Sequence, residues 1–154
     1  MVSAWATDAT AGQPLGIGGP RASHVVRTAF DGYLLAADET GLPALARWLR
    51  ELPANVSVTA LVEVLDHHDE QKLATSTNLT IRWLHRARGE CLQHAVGGAV
   101  LPAGRLYSWV AAEASTVHAI RRHLLHERGL DPETVLARGY WKIGMEGDHE
   151  ASDH

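Results

Sequence analysis

The residues with chemical potential in this chain sit at the ends of apolar runs. Asp38-Glu39-Thr40-Gly41 follows Tyr33-Leu34-Leu35-Ala36-Ala37 and precedes Leu42, Leu45, Ala46, Trp48 and Leu49 at helical spacing, with Pro43 tolerated in the first turn. A strand that turns straight into a helix presents unpaired backbone N–H groups and the positive end of the helix dipole, and both favour an anion. The Thr40 hydroxyl adds a donor. The carboxylates of Asp38 and Glu39 oppose an anion, and Asp38 or Thr40 also suits the cap of the helix. Glu113 closes a second apolar run ahead of a helix expected over 114–128, where an acidic residue serves either a ligand or the helix N-terminus. Arg86 and Arg88 lie just past Leu79–Leu84, and Tyr140 and Trp141 offer aromatic faces for a flat ring or for ordinary packing.

Ten histidines are many for a chain of 154 residues. His123 and His126 are three apart on the expected long helix and share a face, but a metal centre needs a third ligand and a dry shell. They read as a polar outer face, and His67-His68 reads as part of a solvated loop. Cys91 is the single cysteine, which excludes an internal disulfide and any paired-cysteine metal or redox site. No nucleophile–base pair stands out, so hydrolytic chemistry has no support, and neither a catalytic residue nor a metal ligand is assigned.

Those residues need a scaffold, and composition bounds it. The length fits one domain, with 45% hydrophobic and 21% charged residues, as in an ordinary globular protein. Fourteen Lys and Arg against eighteen Asp and Glu give a net charge of −4, which provides no bulk attraction to nucleic acid or to an anionic bilayer. No apolar run reaches the ~18 residues of a membrane span, and the start of the chain does not read as a secretory signal. The expected location is cytoplasmic.

The short apolar run at 33–37, the β-rich run at 56–65 and the segments 79–84, 106–111 and 138–143 read as strands. Helical patterns occupy 42–51, 90–96 and 114–128, the last ended by Gly129. Alternation of strand and helix from residue 33 predicts an α/β fold: a parallel sheet in three layers, with helices on both faces. Right-handed crossovers then gather the strand-to-helix loops along one edge, where such sheets bind ligands. Those loops are 37–43, 63–71, 85–89 and 111–116. Gly18-Gly19-Pro20 divides two short β-prone pieces before the first strand, and residues 145–154 form an acidic, His-containing tail expected to be flexible.

Tyr33-Leu34-Leu35-Ala36-Ala37-Asp38-Glu39-Thr40-Gly41-Leu42-Pro43-Ala44 resembles the first strand-turn-helix of the siderophore-interacting protein family. Glu63-Val64 with Asp69-Glu70-Gln71, Trp83-Leu84-His85-Arg86, and Trp109-Val110-Ala111-Ala112-Glu113-Ala114-Ser115 match further segments in order, followed by Arg121-Arg122 and Gly139-Tyr140-Trp141-Lys142. The resemblance covers residues 30–144 and implies the NAD(P)-binding domain of a ferredoxin-reductase-like ferric-siderophore reductase. In that family a flavin-binding barrel precedes this domain. Ser3-Ala4-Trp5-Ala6 and Gly19-Pro20-Arg21-Ala22-Ser23 resemble its last elements, so 1–29 is expected to be a β-ribbon remnant of the barrel.

The resemblance implies that NADPH or NADH binds at Asp38, Glu39, Thr40, Gly41, Arg86, Glu113 and Trp141. The turn at 37–41 would lie where nicotinamide meets flavin, and Arg86 or Arg88 would meet a 2′-phosphate unless Glu63 or Asp66 binds a ribose instead. Arg21, Arg138 and Lys142 would attract an anionic ferric siderophore. FAD would come from a partner flavin domain or a homodimer. The family usually has glycine where this chain has Ala22, Ala37 and Ala112, and a Cβ blocks close backbone approach. That departure favours an alternative reading, a non-catalytic binding or interaction module of the same fold.

Overall fold

A computed structural model describes residues 8–14 and 25–144. Its centre is a five-stranded sheet formed by β1 (Gly32–Asp38), β2 (Ser57–Val64), β3 (Asn78–His85), β4 (Leu106–Glu113) and β5 (Val135–Trp141). The strand order is β3-β2-β1-β4-β5 and every pairing is parallel. Helices α1 (Leu42–Glu51), α2 (Leu92–Gly97) and α3 (Ala114–His126) cover it. The expected α/β fold with a parallel sheet in three layers is the fold observed.

Burial follows strand position. The central strands β1 and β4 are buried at every residue, as their largely apolar sequences require. Edge strand β3 alternates exposed and half-buried positions over most of its length, and edge strand β5 opens to solvent towards Trp141. One sheet face carries Tyr33, Leu35, Ala37, Val58, Ala60, Val62, Tyr107, Trp109 and Ala111 against Leu42, Leu45, Trp48 and Leu49 of α1. The other carries Leu34, Ala36, Leu61, Leu84, Val110 and Ala112 against Leu92, Ala95 and Val96 of α2 and Val117, Ile120 and Leu124 of α3. The right-handed rule explains the split: β1-α1-β2 and β4-α3-β5 step in opposite directions across the sheet, so their helices fall on opposite faces.

The structure shifts several boundaries, among them the end of α3 at His126 and of β5 at Trp141, and simplifies one connection. β5 begins at Val135, three residues before the expected Arg138, because Val135 is buried and pairs with Ser108. The helix expected at 90–96 spans Leu92–Gly97. Between β2 and β3 the strand–helix alternation lapses: a 3₁₀ turn at His67–Asp69 and an extended loop make the crossover, and Leu73 packs on the core. Gly129 has φ +66°, which allows the chain to reverse at the end of α3. The expected β-ribbon over 1–29 lies mostly outside the described residues, and the described stretches 8–14 and 25–29 hold no strand. The tail at 145–154 is also outside them. Among the described residues no helix is long and apolar enough to cross a membrane.

Candidate functional site

The sheet order reverses between β1 and β4, so the carboxyl ends of these strands mark the place where such a sheet opens towards a ligand. Asp38 ends β1 there and is only 4% exposed. Its Oδ1 accepts from the backbone N–H of Thr40 (2.9 Å), the Thr40 hydroxyl (2.5 Å) and the N–H of Gly41 (3.4 Å). Its Oδ2 accepts from the N–H of Glu113 (3.1 Å) and the indole Nε1–H of Trp141 (2.8 Å). One carboxylate therefore ties together β1, β4 and the end of β5. A buried charge needs this many donors to offset the loss of water.

This arrangement corrects the expectation of an anion cradle at 37–41. The N–H groups of Thr40 and Gly41 already point at Asp38, and Pro43 contributes no N–H to the first turn of α1. Neither Asp38 nor Thr40 is the N-cap of α1. Gly41 holds that position and, lacking a side chain, offers no capping group. Gly41 serves packing instead. A Cβ there would lie 2.8 Å from the Ala111 carbonyl oxygen and 2.9 Å from the Ala37 Cβ, so α1 starts in direct contact with both central strands.

Glu113 is buried at the end of β4 and is the N-cap of α3. Its Oε2 accepts from the N–H of Ser115 (2.7 Å), the Ser115 hydroxyl (2.5 Å) and the N–H of Thr116 (3.0 Å). Burial pushes its carboxyl up, but the Ser115 hydroxyl and the backbone N–H groups of Thr116, Ser115 and Ile143 outweigh it and hold it below the usual range. A bulge between Ala112 and Glu113 puts Glu113 opposite Trp141. Trp141 is held by Asp38 yet 45% exposed, and Tyr140 (47%) and Ile143 (74%) extend this apolar patch.

A second group lies over the other half of the same edge. Arg86 follows β3 and donates through Nη1 and Nη2 to both oxygens of Glu39, at 2.6 and 2.5 Å. Nη1 also reaches Glu63 at the end of β2, at 3.3 Å, and the other oxygen of Glu63 accepts from the N–H of Leu92 at the start of α2 (2.6 Å). The Arg86 hydrogen bonds hold the Glu39 carboxyl below the usual range, and Glu39 in turn raises Arg86. The loops after β1, β2 and β3 are thereby joined through one guanidinium. Beside it is a cleft of about 490 Å³ lined by Glu39, Leu42, Val64, Leu65, His68, Asp69, Gln71 and Arg86. At the last residue of β3, half-exposed Glu70 and Glu90 flank buried His85: His85 Nε2 lies 2.8 Å from Glu70 Oε1, and its backbone N–H donates to Glu90 at 2.9 Å.

Of the expected dinucleotide residues, the structure brings Asp38, Thr40, Gly41, Glu113 and Trp141 into one cluster and Glu39 and Arg86 into the other. The expected siderophore residues are less gathered. Arg138 lies in β5 and Lys142 just beyond it, exposed, while Arg21 is outside the described residues. The pairing of Glu39 with Arg86 escaped the sequence reading because the two are 47 positions apart. Their shared position at neighbouring strand ends was the available signal.

A parallel sheet of this order, with polar clusters at its carboxyl edge, belongs to the dinucleotide-domain class of α/β folds, like that of ferredoxin reductases. Residues 30–144 match the family described as siderophore-interacting protein. The NADPH-dependent ferric-chelate reductase of Escherichia coli is 32% identical over 144 residues, covering 92% of this chain and 56% of that protein. The ferric vibriobactin reductase ViuB of Vibrio cholerae is 29% identical over 153 residues, covering 95% of this chain and 56% of that protein. The crystal structure of a siderophore utilization protein from T. fusca superposes with a TM-score of 0.80 at 42% identity, over 96% of this chain and 58% of that one. The chain belongs to the siderophore-interacting protein family, and it spans a little over half the length of these relatives.

Proposed function

We propose that this chain is the NAD(P)H-binding lobe of a flavin-linked ferric-siderophore reductase. The observation that carries this reading is the open cleft over the ends of β1 and β2, beside Arg86. It pairs apolar walls from Leu42, Val64 and Leu65 with acceptors on Glu39 and a cation on Arg86. An adenosine moiety suits that set: the base meets the aliphatic wall, a ribose diol donates to a carboxylate, and a phosphate exchanges with Glu39 for the Arg86 fork. The residues present fit the adenosine half of the ligand better than the pyrophosphate, since Asp38 occupies the turn donors.

The other half of the reading rests on the patch at Tyr140, Trp141 and Ile143, exposed next to the strand-order reversal. It offers a surface for a flavin edge or for the domain that carries the flavin. That flavin comes from outside residues 30–144: from a further domain, a partner chain or a second copy. When bound, the dinucleotide supplies a hydride and the flavin supplies the single-electron steps that Fe(III) accepts. Here Asp38 holds Trp141 in place, Glu113 fixes the start of α3, and Arg86 orients the nucleotide. The ferric siderophore is the substrate, drawn by Arg138 and Lys142 and, among residues not described, by Arg21. The setting is cytoplasmic, where reduced nicotinamide is available.

Calorimetric titration of the chain with NADPH and with NADH tests the lobe. Saturable binding of either, lost in Arg86→Ala, supports the reading. Failure of both to bind while a partner protein binds at the Trp141 patch would favour the second reading, a non-catalytic interaction module. The saturated donors at Asp38 and the alanines at 37 and 112 are what speak for that second reading.

A further inference from the structure

We propose that Asp66, His67 and His68 form a binding site for a first-row divalent transition-metal ion at the rim of the cleft. The three residues follow β2 and begin the 3₁₀ turn at His67–Asp69. Each offers one ligand atom, and these atoms all lie within 4.8 Å of one another.

The turn itself organises them. The Asp66 carboxylate accepts from the backbone N–H of His68 at 2.8 Å and lies 2.9 Å from His68 Nδ1. The two imidazole rings are 3.8 Å apart between centroids, tilted by 40°. An ion bonded to nitrogen and oxygen at roughly 2.0–2.2 Å spans adjacent ligands about 3 Å apart. The Asp66–His68 separation already has that bite: the ion would sit to one side of the line between the two atoms, and a proton on His68 Nδ1 would pass to Nε2 or to water. The backbone N–H contact keeps the carboxylate in position after that exchange.

Two imidazoles and one carboxylate form a borderline nitrogen–oxygen donor set, which suits Ni(II), Co(II), Zn(II) or Fe(II) and not Mg(II) or Ca(II). With three ligands from the protein and the His68 side chain 77% exposed, the remaining positions would go to water and the ion would exchange readily. His68 and its neighbour Asp69 also line the cleft, as Glu39 and Arg86 do. The proposal is independent of the reductase reading, because it needs only the turn and its three side chains.

The test is a calorimetric titration of the full chain with NiCl2, CoCl2, MnCl2 and MgCl2 in a non-chelating buffer. It is repeated on His67→Ala/His68→Ala and on a His118→Ala/His126→Ala control. The expected result is binding in the order Ni(II) over Co(II) over Mn(II), with none for Mg(II). The 67/68 double variant should lose at least about tenfold in affinity and the control nothing. Backbone NMR with substoichiometric Co(II) should broaden residues 66–68 first. The proposal is overturned by any of three results: no saturable heat with wild type, equal binding by the 67/68 variant, or first broadening at other histidines. Both substituted side chains in the 67/68 variant are exposed, and its circular dichroism checks that the fold is kept.

Discussion

Two clusters share one edge of the sheet and are built on opposite principles. Over β1, β4 and β5, the Asp38 carboxylate is buried and accepts from five donors, all within the chain. Over β1, β2 and β3, Glu39 and Arg86 meet as a half-exposed pair beside an open cleft, with side-chain exposures of 48% and 37%. The first cluster cannot release a donor without leaving a buried charge short. The second can exchange a carboxylate for a ligand anion at little cost, since exposed pairs contribute only ~0–1 kcal/mol. Position at a strand end thus does not make a residue a ligand contact. The degree to which its hydrogen bonds are already met inside the chain decides it.

The comparison breaks most visibly at Asp38. Asp38→Ala removes the acceptor from the N–H groups of Thr40, Gly41, Glu113 and Trp141 together, those of Gly41 and Glu113 buried, and should cost about 3–5 kcal/mol in urea unfolding, since hydrogen bonds to a charge contribute about 1.5–3 each. A loss below about 1 kcal/mol would mean that the cluster is not the clip described. Trp141→Phe withdraws one of those donors and should cost about 1–2 kcal/mol, while Tyr140→Phe in the same patch should cost less.

Acid sharpens the contrast at Glu113. Its carboxyl is held below its unfolded value, so its contribution is complete above the unfolded pKa of roughly 4.5 and is lost as pH falls through the folded value. Glu113→Gln should flatten the loss of stability on acidification relative to wild type, measured as urea midpoints across that range. An unchanged slope would count against the capping assignment. The smallest stability effect belongs to Arg86→Ala, expected within about 1 kcal/mol, even as it removes dinucleotide binding. A large destabilisation would move Arg86 into the structural class with Asp38.

Much of this fold is legible in the sequence, for a physical reason. Central parallel strands are buried on both faces, so β1 is written as an unbroken apolar run at 33–37 and β4 as one broken only by Ser108 at 106–111. Edge strands carry a weaker signal, and β5 starts earlier than its pattern suggests because Val135-Leu136-Ala137 directly follows the Pro132–Thr134 turn. The loops that form the edge are also legible, because topology alone places them there. The roles within the edge are not. Whether Asp38 faces a ligand or the protein depends on Glu113 and Trp141, which arrive 75 and 103 residues later. Arg86 reads as a free cation until Glu39 and Glu63 are seen beside it.

The most direct test of the central claim is an amide chemical-shift map of the chain titrated with NADPH. Saturable shifts are expected at Glu39, Val64, Leu65 and Arg86 around the cleft, with the buried cluster at Asp38 little moved. That pattern is contradicted if no shifts saturate at millimolar NADPH. It is equally contradicted if they centre on the opposite edge, in the groove of about 560 Å³ between Ser57–Leu61 and Gly98–Pro102.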